Sequence, residues 1–282
     1  MARITFLGTG GGRFMTVFQR LSTGGFRISS RNLMMNVDPG PGAILRMREV
    51  GLDPTKNNAL FVSHCHPDHY TDTEVMIEAM TQGGTRVRGT LIAGESVMKD
   101  MDGFEKPISN FHLSKPEKAI CAKPKEKYNL NEWCALETTK TKHSDPSAIG
   151  FMLKTPEGTI GYTADTELFP GLGQQFKGAR VLILNVVRPL EKRIPWHLCT
   201  EDAAALIAEV KPKLAVLTHF GLAMYNENPS KQCEWISSKT GINTIAAKDG
   251  MSIYMEEDIE IKMNPQVGCE EPIAPSSLPE KM

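Results

Sequence analysis

The sequence lacks the features that mark secreted, membrane-spanning and polyanion-binding proteins. Its six cysteines are scattered without a CxxC pair, which fits neither a zinc ribbon nor a dense disulfide framework. No apolar run approaches the roughly 18 residues that suggest a membrane span, and MARITFLGTGGG has no secretory-signal pattern. With 32 Lys+Arg against 33 Asp+Glu, the chain has no global positive field for nucleic acid. We therefore expect a soluble, cytoplasmic protein with reduced thiols and no membrane partner.

Composition and patterning instead predict a single α/β (α+β) domain. Hydrophobic residues make up 40% of the chain and charged residues 23%, close to ordinary globular usage. Short apolar strands such as Ala59–Val62 alternate with helical segments. Residues 85–134 are less regular, and we expect a surface excursion with one strand there. The domain is expected to span residues 1–262, and the Pro-, Glu- and Ser-rich residues 263–282 to form a loosely ordered tail.

Histidines are concentrated at the end of one apolar strand. The six residues HCHPDH hold three imidazoles and one carboxylate, which belong to His64, His66, Asp68 and His69. Histidine and aspartate are good ligands for zinc and similar ions, and residues 64 and 66 point the same way while the backbone stays extended. Pro67 can then turn the chain so that the last two side chains face a second ion. Hydrogen-bonding loop histidines and a helix cap explain this crowding less well.

Three further ligand candidates occur later in the chain. His143 lies in TKTKHSDPS, Asp165 in GYTADT and His219 in LTHFG. Taken singly, His143 also fits an exposed loop and Asp165 a helix cap, whereas His219 follows its strand closely enough to favour a ligand role. Their joint occurrence after HCHPDH strengthens the ligand interpretation for all three.

HxHxDH followed by an isolated His, a strand-end Asp and a late His resembles the signature of the metallo-β-lactamase superfamily. The resemblance spans residues 4 to about 255 and implies an αββα sandwich, in which two mixed β-sheets pack face to face with helices outside. It implies a first ion held by His64, His66 and His143, a second held by Asp68, His69 and His219, and Asp165 bridging them. Two divalent ions are therefore expected, with zinc favoured and Mn²⁺ or Fe²⁺ as alternatives, because His and Asp suit all three.

Two such ions about 3.5 to 4 Å apart would share a bridging water, lower its pKa and polarise the bond under attack. The resulting hydroxide is the expected nucleophile, and Asp68 would also orient the water or accept its proton. Asp38, in NVDPG, resembles the family's early Asp that supports a ligand histidine, although a plain turn residue before Pro-Gly is nearly as good an interpretation. The segment GTGGG lacks the P-loop Lys and is interpreted as a structural or active-site-adjacent turn.

His197 favours a phosphodiester substrate. It lies 22 residues before His219, and a histidine there resembles the phosphodiesterase and tRNA 3′-processing (RNase Z-like) branches of the superfamily. In those branches it contacts the scissile phosphate or helps protonate the leaving oxygen, which suits an imidazole near neutral pH. A histidine that merely precedes the next helix is the alternative.

The same motifs separate the competing activities. His69 disfavours β-lactam hydrolysis, while thioesterases and lactonases of the glyoxalase II type keep HxHxDH but generally lack a counterpart of His197. Only 22 residues separate His143 from Asp165, too few for the long arm that tRNA 3′-processing enzymes usually carry there. We therefore predict a hydrolase of small, cyclic or nucleotide phosphodiesters, with RNA less favoured and an inactive metal-binding module least favoured. The sequence does not decide between a monomer and a homodimer.

Overall fold

The computed structural model describes residues 1–264, in which two β-sheets pack face to face between outer helices. In chain order the strands are β1 (Ala2–Phe6), β2 (Phe26–Ser30), β3 (Leu33–Val37), β4 (Ala59–Val62), β5 (Thr90–Ala93), β6 (Lys118–Cys121), β7 (Lys127–Asn129), β8 (Ala135–Lys140), β9 (Ile149–Thr155), β10 (Gly158–Tyr162), β11 (Val181–Arg188), β12 (Leu198–Cys199), β13 (Leu214–Thr218), β14 (Thr244–Ala246), β15 (Met251–Met255) and β16 (Ile259–Met263). The helices are α1 (Arg13–Phe18), α2 (Ala43–Glu49), the 3₁₀ turn Pro54–Lys56, α3 (Pro67–Tyr70), α4 (Thr73–Met80), α5 (Glu95–Met98), α6 (Asn110–Leu113), α7 (Leu172–Gln175), α8 (Thr200–Val210), α9 (Leu222–Asn226) and α10 (Pro229–Thr240). None of the helices in this part of the chain is long and apolar enough to cross a membrane.

Each sheet combines an antiparallel half with a parallel half. The first has the order β16-β15-β1-β2-β3-β4-β5-β6, antiparallel as far as β3 and parallel from β3 to β6. The second has the order β14-β13-β11-β10-β9-β8-β7, antiparallel from β7 to β10 and parallel from β10 to β14, with β12 beside β11. Because parallel strands end at the same edge of a sheet, residues that follow different strands can meet there.

Strand burial explains why the two sheets pack together. All four residues of β4 are buried. Ala59 and Phe61 lie in the layer between the sheets, and Leu60 and Val62 pack against the buried faces of the outer helices α2 and α4. Successive side chains of a strand face opposite sides, so a continuous apolar run is covered on both faces. The residues of β11 alternate in the same way between the central layer and the cluster formed with α8 and α10. The predicted αββα arrangement is thereby confirmed.

Residues 85–134 hold more regular structure than their sequence predicts. Besides the predicted strand β5, they contain β6, which forms an edge of the first sheet, and β7, which forms an edge of the second. These strands have four and three residues and are largely exposed, so neither shows the alternation that predicts a strand. The expectation of a single strand in this region is therefore wrong, although the two additional strands lie at the surface as predicted.

The end of the described chain belongs to the first sheet. β16 pairs with β15 as far as Met263, and Asn264 accepts a hydrogen bond from Arg3 at 3.0 Å. Met263 therefore lies in the sheet, although the sequence analysis assigns it to the tail. Residues 265–282, the rest of the predicted tail, lie outside the described residues, and the domain boundary at 262 stays a prediction.

Candidate metal centre

The predicted ligands converge at the edge of the sandwich where the parallel strands end. The HCHPDH segment follows β4, and three more residues follow strands of the second sheet: His143 after β8, Asp165 after β10 and His219 after β13. Ligand atoms within 4.8 Å of one another define four groups, which are His64–His66–His143, Asp68–His69–His219, His64–His69–Asp165 and His143–Asp165–His197. The structure thus brings together all seven predicted ligands and His197, and the cluster joins the two sheets.

The first group directs three ring nitrogens at one another. Nδ1 of His66 lies 2.9 Å from Nε2 of His64 and 3.1 Å from Nε2 of His143. Nδ1 of His143 lies 3.0 Å from the carbonyl oxygen of Trp196, which can only accept, so a neutral His143 carries its proton on Nδ1. Its Nε2 lone pair therefore faces the group. Burial lowers the pKa of His64 well below its ordinary value, which keeps that imidazole neutral.

The second group is built from Asp68, His69 and His219. Nε2 of His219 lies 3.0 Å from Nε2 of His69 and 3.1 Å from Oδ2 of Asp68. Nδ1 of His69 donates to the carboxylate of Asp38 at 2.9 Å, so a neutral His69 presents its Nε2 lone pair to the group. Oδ2 of Asp68 also accepts the backbone N–H of Gly12 at 2.7 Å. Burial opposes ionisation of Asp68, but His69 and His219 outweigh it and hold the pKa of this carboxyl below its ordinary value.

Asp165 lies between the two groups. Its Oδ2 is 3.6 Å from Nε2 of His69 and 4.0 Å from Nε2 of His143. Asn185 donates to its Oδ1 at 2.7 Å. Burial opposes ionisation here too, but His219 and His69 keep the pKa of Asp165 well below its ordinary value. A single ionised carboxylate is therefore within reach of both groups.

This arrangement fits metal ligation better than hydrogen bonding among the side chains. Two ligands of one ion bound at 2.0–2.1 Å lie about 3.0–3.4 Å apart, near the nitrogen separations in both groups. A hydrogen bond needs a proton between its partners, whereas the outer contacts of His64, His69 and His143 place their protons on Nδ1. Nδ1 of His219 is buried without a hydrogen-bond partner in residues 1–264. Imidazole and carboxylate donors suit zinc, manganese and iron alike, so the residues present fit divalent metal ions.

Asp38 makes the contact with a ligand histidine that the resemblance implies. Besides Nδ1 of His69, it accepts the N–H and the Oγ–H of Ser63, at 2.6 and 2.8 Å, and the hydroxyl of Tyr162 at 2.6 Å. Because the Ser63 hydroxyl donates to Asp38, its oxygen accepts from Nδ1 of His64 at 2.9 Å. One buried carboxylate therefore orients a histidine of each group, which a plain turn residue would not do.

Three supporting residues were missed by the sequence analysis. Buried Asp145 accepts the backbone N–H of Cys65, in the middle of HCHPDH, at 3.2 Å. Tyr162 donates to Asp38, Asn185 donates to Asp165, and Asn185 also donates to the hydroxyl of Tyr162 at 3.1 Å. A usable signal existed for Asn185, since an isolated amide inside the apolar VLILNVV must be hydrogen-bonded when buried. Asp145 and Tyr162 carry no comparable signal in the sequence.

Four of the eleven non-glycine residues with positive φ in residues 1–264 lie at the cluster. Asp38, Ala164, Trp196 and His219 have left-handed φ values of 47°, 51°, 69° and 61°. Each such non-glycine residue costs of order 1–3 kcal/mol, and this kind of strain clusters at functional sites. All four are predicted site residues or their immediate neighbours.

His197 lies at the rim of the cluster. Its Nδ1 is 3.6 Å from Oδ2 of Asp165, its ring centroid is 5.0 Å from that of His143, and its side chain is 19% exposed. Burial lowers the pKa of His197 to about 4, against the opposing effect of Asp165, so the imidazole is neutral at pH 7. A surface cleft of about 380 Å³, also lined by Glu167 and Arg193, opens beside it. Partial exposure beside a cleft allows His197 to touch a substrate.

The sequence matches both a family and individual proteins. Residues 35–220, which include all seven predicted ligands, match the model of the beta-lactamase superfamily domain. The chain is 46% identical over 254 residues to an uncharacterized protein of Methanocaldococcus jannaschii, covering 89% of this chain and 94% of that protein. It is 28% identical over 153 residues to ribonuclease Z of Methanosarcina acetivorans, covering 54% of this chain and 48% of that protein.

Solved structures share the fold at low sequence identity. The metallo-beta-lactamase fold protein YhfI from Bacillus subtilis superimposes with a TM-score of 0.73 at 20% identity, covering 89% of this chain and 98% of YhfI. A diphosphatase from the PhnP family gives a TM-score of 0.67 at 16% identity, covering 91% and 98%. Human tRNase Z, short form, gives 0.65 at 15% identity, covering 90% and 99%. The chain therefore belongs to the beta-lactamase superfamily and is a metal-dependent hydrolase of the metallo-β-lactamase fold.

Proposed function

We propose that this hydrolase is a dinuclear phosphodiesterase that acts on small, cyclic or nucleotide phosphodiesters. The observation that carries the proposal is the position of His197, which places a partly exposed imidazole beside the ligand cluster and a cleft. Thioesterases and lactonases of the glyoxalase II type generally lack such a histidine. We expect only the metal-bound protein to hydrolyse substrate, and we expect the metal to be zinc.

In this proposal, each ligand group would hold one of two metal ions. One ion would be held by His64, His66 and His143, the other by Asp68, His69 and His219, with Asp165 in reach of both. When bound, the ions would supply Lewis acidity and lower the pKa of a shared water. Asp38 and the carbonyl of Trp196 keep the imidazole protons on the outer nitrogens, so the inner nitrogens are free to ligate.

Two side chains would act on the substrate or on the attacking water. His197 would donate its N–H to a phosphate oxygen, because a pKa of about 4 leaves almost none of it as the imidazolium that could protonate the leaving group at pH 7. Asp68 is ionised, and its Oδ2 is held by the N–H of Gly12, so it would accept a hydrogen bond or a proton from the water.

Cleavage of precursor tRNA is the second candidate, because ribonuclease Z of Methanosarcina acetivorans and of Pyrococcus furiosus are among the relatives. The short segment between His143 and Asp165 argues against cleavage of precursor tRNA. The hairpin β9–β10 occupies most of these residues and pairs within the second sheet, which leaves no room for a long protruding arm. We therefore rank small substrates ahead of structured RNA.

The test compares hydrolysis of bis(p-nitrophenyl) phosphate, a thioester, a cephalosporin and a precursor tRNA. The protein is reconstituted with zinc or manganese, and its metal content is measured in the same sample. We expect diester turnover that chelation abolishes and added metal restores. Turnover of the thioester or the cephalosporin alone would refute a phosphodiester substrate, whereas a higher kcat/KM for precursor tRNA would favour the second candidate.

Substitution of His197 isolates its contribution. His197→Ala should keep its metal and lose roughly 100-fold in diester kcat/KM, the usual cost of removing one donor to a charged transition state. His66→Ala should lose metal and activity together. His112→Ala is the matched control, because this histidine contacts Glu74 and Glu78 away from the cluster and should leave both readouts unchanged. Full turnover by His197→Ala would exclude the proposed role.

A further inference from the structure

Helix α1 presents apolar side chains to solvent. Only Met15 of this helix is buried, while Phe14, Val17 and Phe18 are 69%, 75% and 58% exposed. These three residues have the i, i+3, i+4 spacing that puts them on one face, and the centroids of the two phenyl rings are 6.4 Å apart with planes 16° from parallel. A surface helix normally turns such a stripe toward the core, and a contiguous exposed patch often marks a binding site.

The residues before α1 tie the helix to the metal centre. The N–H of Gly12 donates to Oδ2 of Asp68 at 2.7 Å. A Cβ on Gly11 would lie 2.1–2.2 Å from ring atoms of His219, so the chain passes in direct contact with that side chain. Phe14 is two residues beyond Gly12, and its Cα lies no more than about 7 Å from the Cα of Gly12. Helix α1 therefore begins beside Asp68 and His219, and its exposed aromatic face lies only a few residues farther along the chain.

Arg13 begins α1 and Arg20 follows its last residue by two positions, which gives the helix a basic rim at both ends. Arg31, Arg46 and Arg193 have carboxylates within 4.0 Å, whereas the exposed guanidinium groups of Arg13 and Arg20 have none in the part of the chain that the structure describes. Arginine suits phosphate and also stacks on planar rings, so this rim complements an anionic ligand with aromatic bases. A second copy docked symmetrically here would bring these like charges together, which disfavours it as the occupant.

We propose that Phe14 and Phe18 form a stacking platform for a nucleobase, so that the substrate of the metal centre is a nucleotide phosphodiester with its base on α1. The proposal deepens the proposed function and rests on it for the phosphodiester. α1 adjoins the group that contains Asp68 and His219, whereas the cleft beside His197 adjoins His143. A diester lying across both groups therefore has one substituent on each side. Stacking accepts any base, so the platform selects nucleotides over aliphatic diesters without reading sequence.

The test uses two diesters with the same p-nitrophenolate leaving group. Thymidine 5′-(p-nitrophenyl phosphate) carries a base, and methyl p-nitrophenyl phosphate does not. In the metal-loaded protein, the double variant Phe14→Ala/Phe18→Ala should lose about tenfold in kcat/KM for the thymidine ester, mainly through KM, and keep its activity on the methyl ester. Phe14→Leu/Phe18→Leu retains the apolar bulk without the π faces and should show the same selective loss. Phe111→Ala removes an equally exposed ring from α6 and should change neither substrate.

A binding measurement separates this proposal from the proposed function. Calorimetric titration of the metal-loaded protein should show tighter binding of thymidine 5′-monophosphate than of methyl phosphate, with the difference lost in the alanine double variant. That result without any diester turnover would uphold the platform and refute only the phosphodiesterase. Equal affinities in the wild type, or equal losses for both ligands in the variant, would overturn the platform. Sedimentation that shows a dimer lost in the variant, with both affinities unchanged, would overturn it too and assign the face to a second copy.

Discussion

At the scale of a single residue, Asp38 contacts one predicted ligand group directly and the other through Ser63. It accepts from Nδ1 of His69 directly, and it sets the proton of His64 through the hydroxyl of Ser63. Both contacts turn an Nε2 lone pair toward the cluster, which raises ligand basicity and fixes ring orientation. Tyr162 and the N–H of Ser63 complete its hydrogen bonds, so the carboxylate is satisfied although it is buried.

Asp38→Asn should lower metal affinity roughly 10- to 100-fold, the usual cost of losing a partner that orients a ligand. Asparagine tolerates the left-handed backbone at this position, so the change removes the charge and one of the two acceptor oxygens without imposing new strain. Competition with a chromophoric chelator measures the affinity. Asp53→Asn, at the exposed 3₁₀ turn before β4, should leave it unchanged. Wild-type affinity in Asp38→Asn would show that His69 and His64 do not depend on this carboxylate.

At the scale of an element, the glycine-rich segment between β1 and α1 is part of the wall of the metal centre. Asp249 holds it by accepting the N–H and the hydroxyl of Thr9, at 2.8 and 2.7 Å. The same carboxylate accepts the N–H of Ser22, beyond α1, at 2.8 Å. The backbone then passes His219 so closely at Gly11 that no side chain fits. The sequence alone left open whether this segment is a structural turn or lies at the active site, and the structure places it against two predicted ligands.

Gly11→Ala should reduce metal content and hydrolysis together, because the new Cβ would displace the ring of His219. Gly178→Ala is a control that strains the backbone without a steric clash. Gly178 has a φ of 86°, and no atom lies within 4 Å of the position that a Cβ would take. The substitution should cost roughly 1 kcal/mol of stability, since alanine disfavours that backbone conformation, without changing metal affinity. Metal analysis and thermal unfolding of both variants give the comparison. Normal metal content in Gly11→Ala would mean that His219 has room to move.

At the scale of the whole molecule, the predicted ligands connect the two sheets. Those of HCHPDH follow β4 in the first sheet, and the others follow strands of the second. Metal bound at this site would therefore stabilise the packing of one sheet on the other, because the unfolded chain does not hold these groups together.

Removal of the metal should lower the unfolding temperature. Free metal at a thousand times its Kd stabilises the folded state by about 4 kcal/mol, which for a chain of 282 residues corresponds to a shift of about 7 °C. Calorimetry with and without a chelator measures it. His66→Ala should unfold near the temperature of the chelated wild type and respond little to chelator. Identical unfolding temperatures for the wild type in both conditions would contradict a metal-stabilised fold.

The sequence by itself determined the sheet sandwich and the composition of the ligand cluster. Burial on both faces of β4 follows from its unbroken apolar run. The resemblance of the His and Asp motifs to the superfamily signature implies which side chains meet. Only the tertiary structure decided the edge strands β6 and β7, the proton positions set by Asp38 and Trp196, and the exposure of the α1 aromatic face. The physical reason is separation along the sequence. Burial periodicity depends on neighbouring residues, whereas a contact such as Asp145 with Cys65 joins positions 80 residues apart. Such contacts exist only once the two sheets have closed on each other.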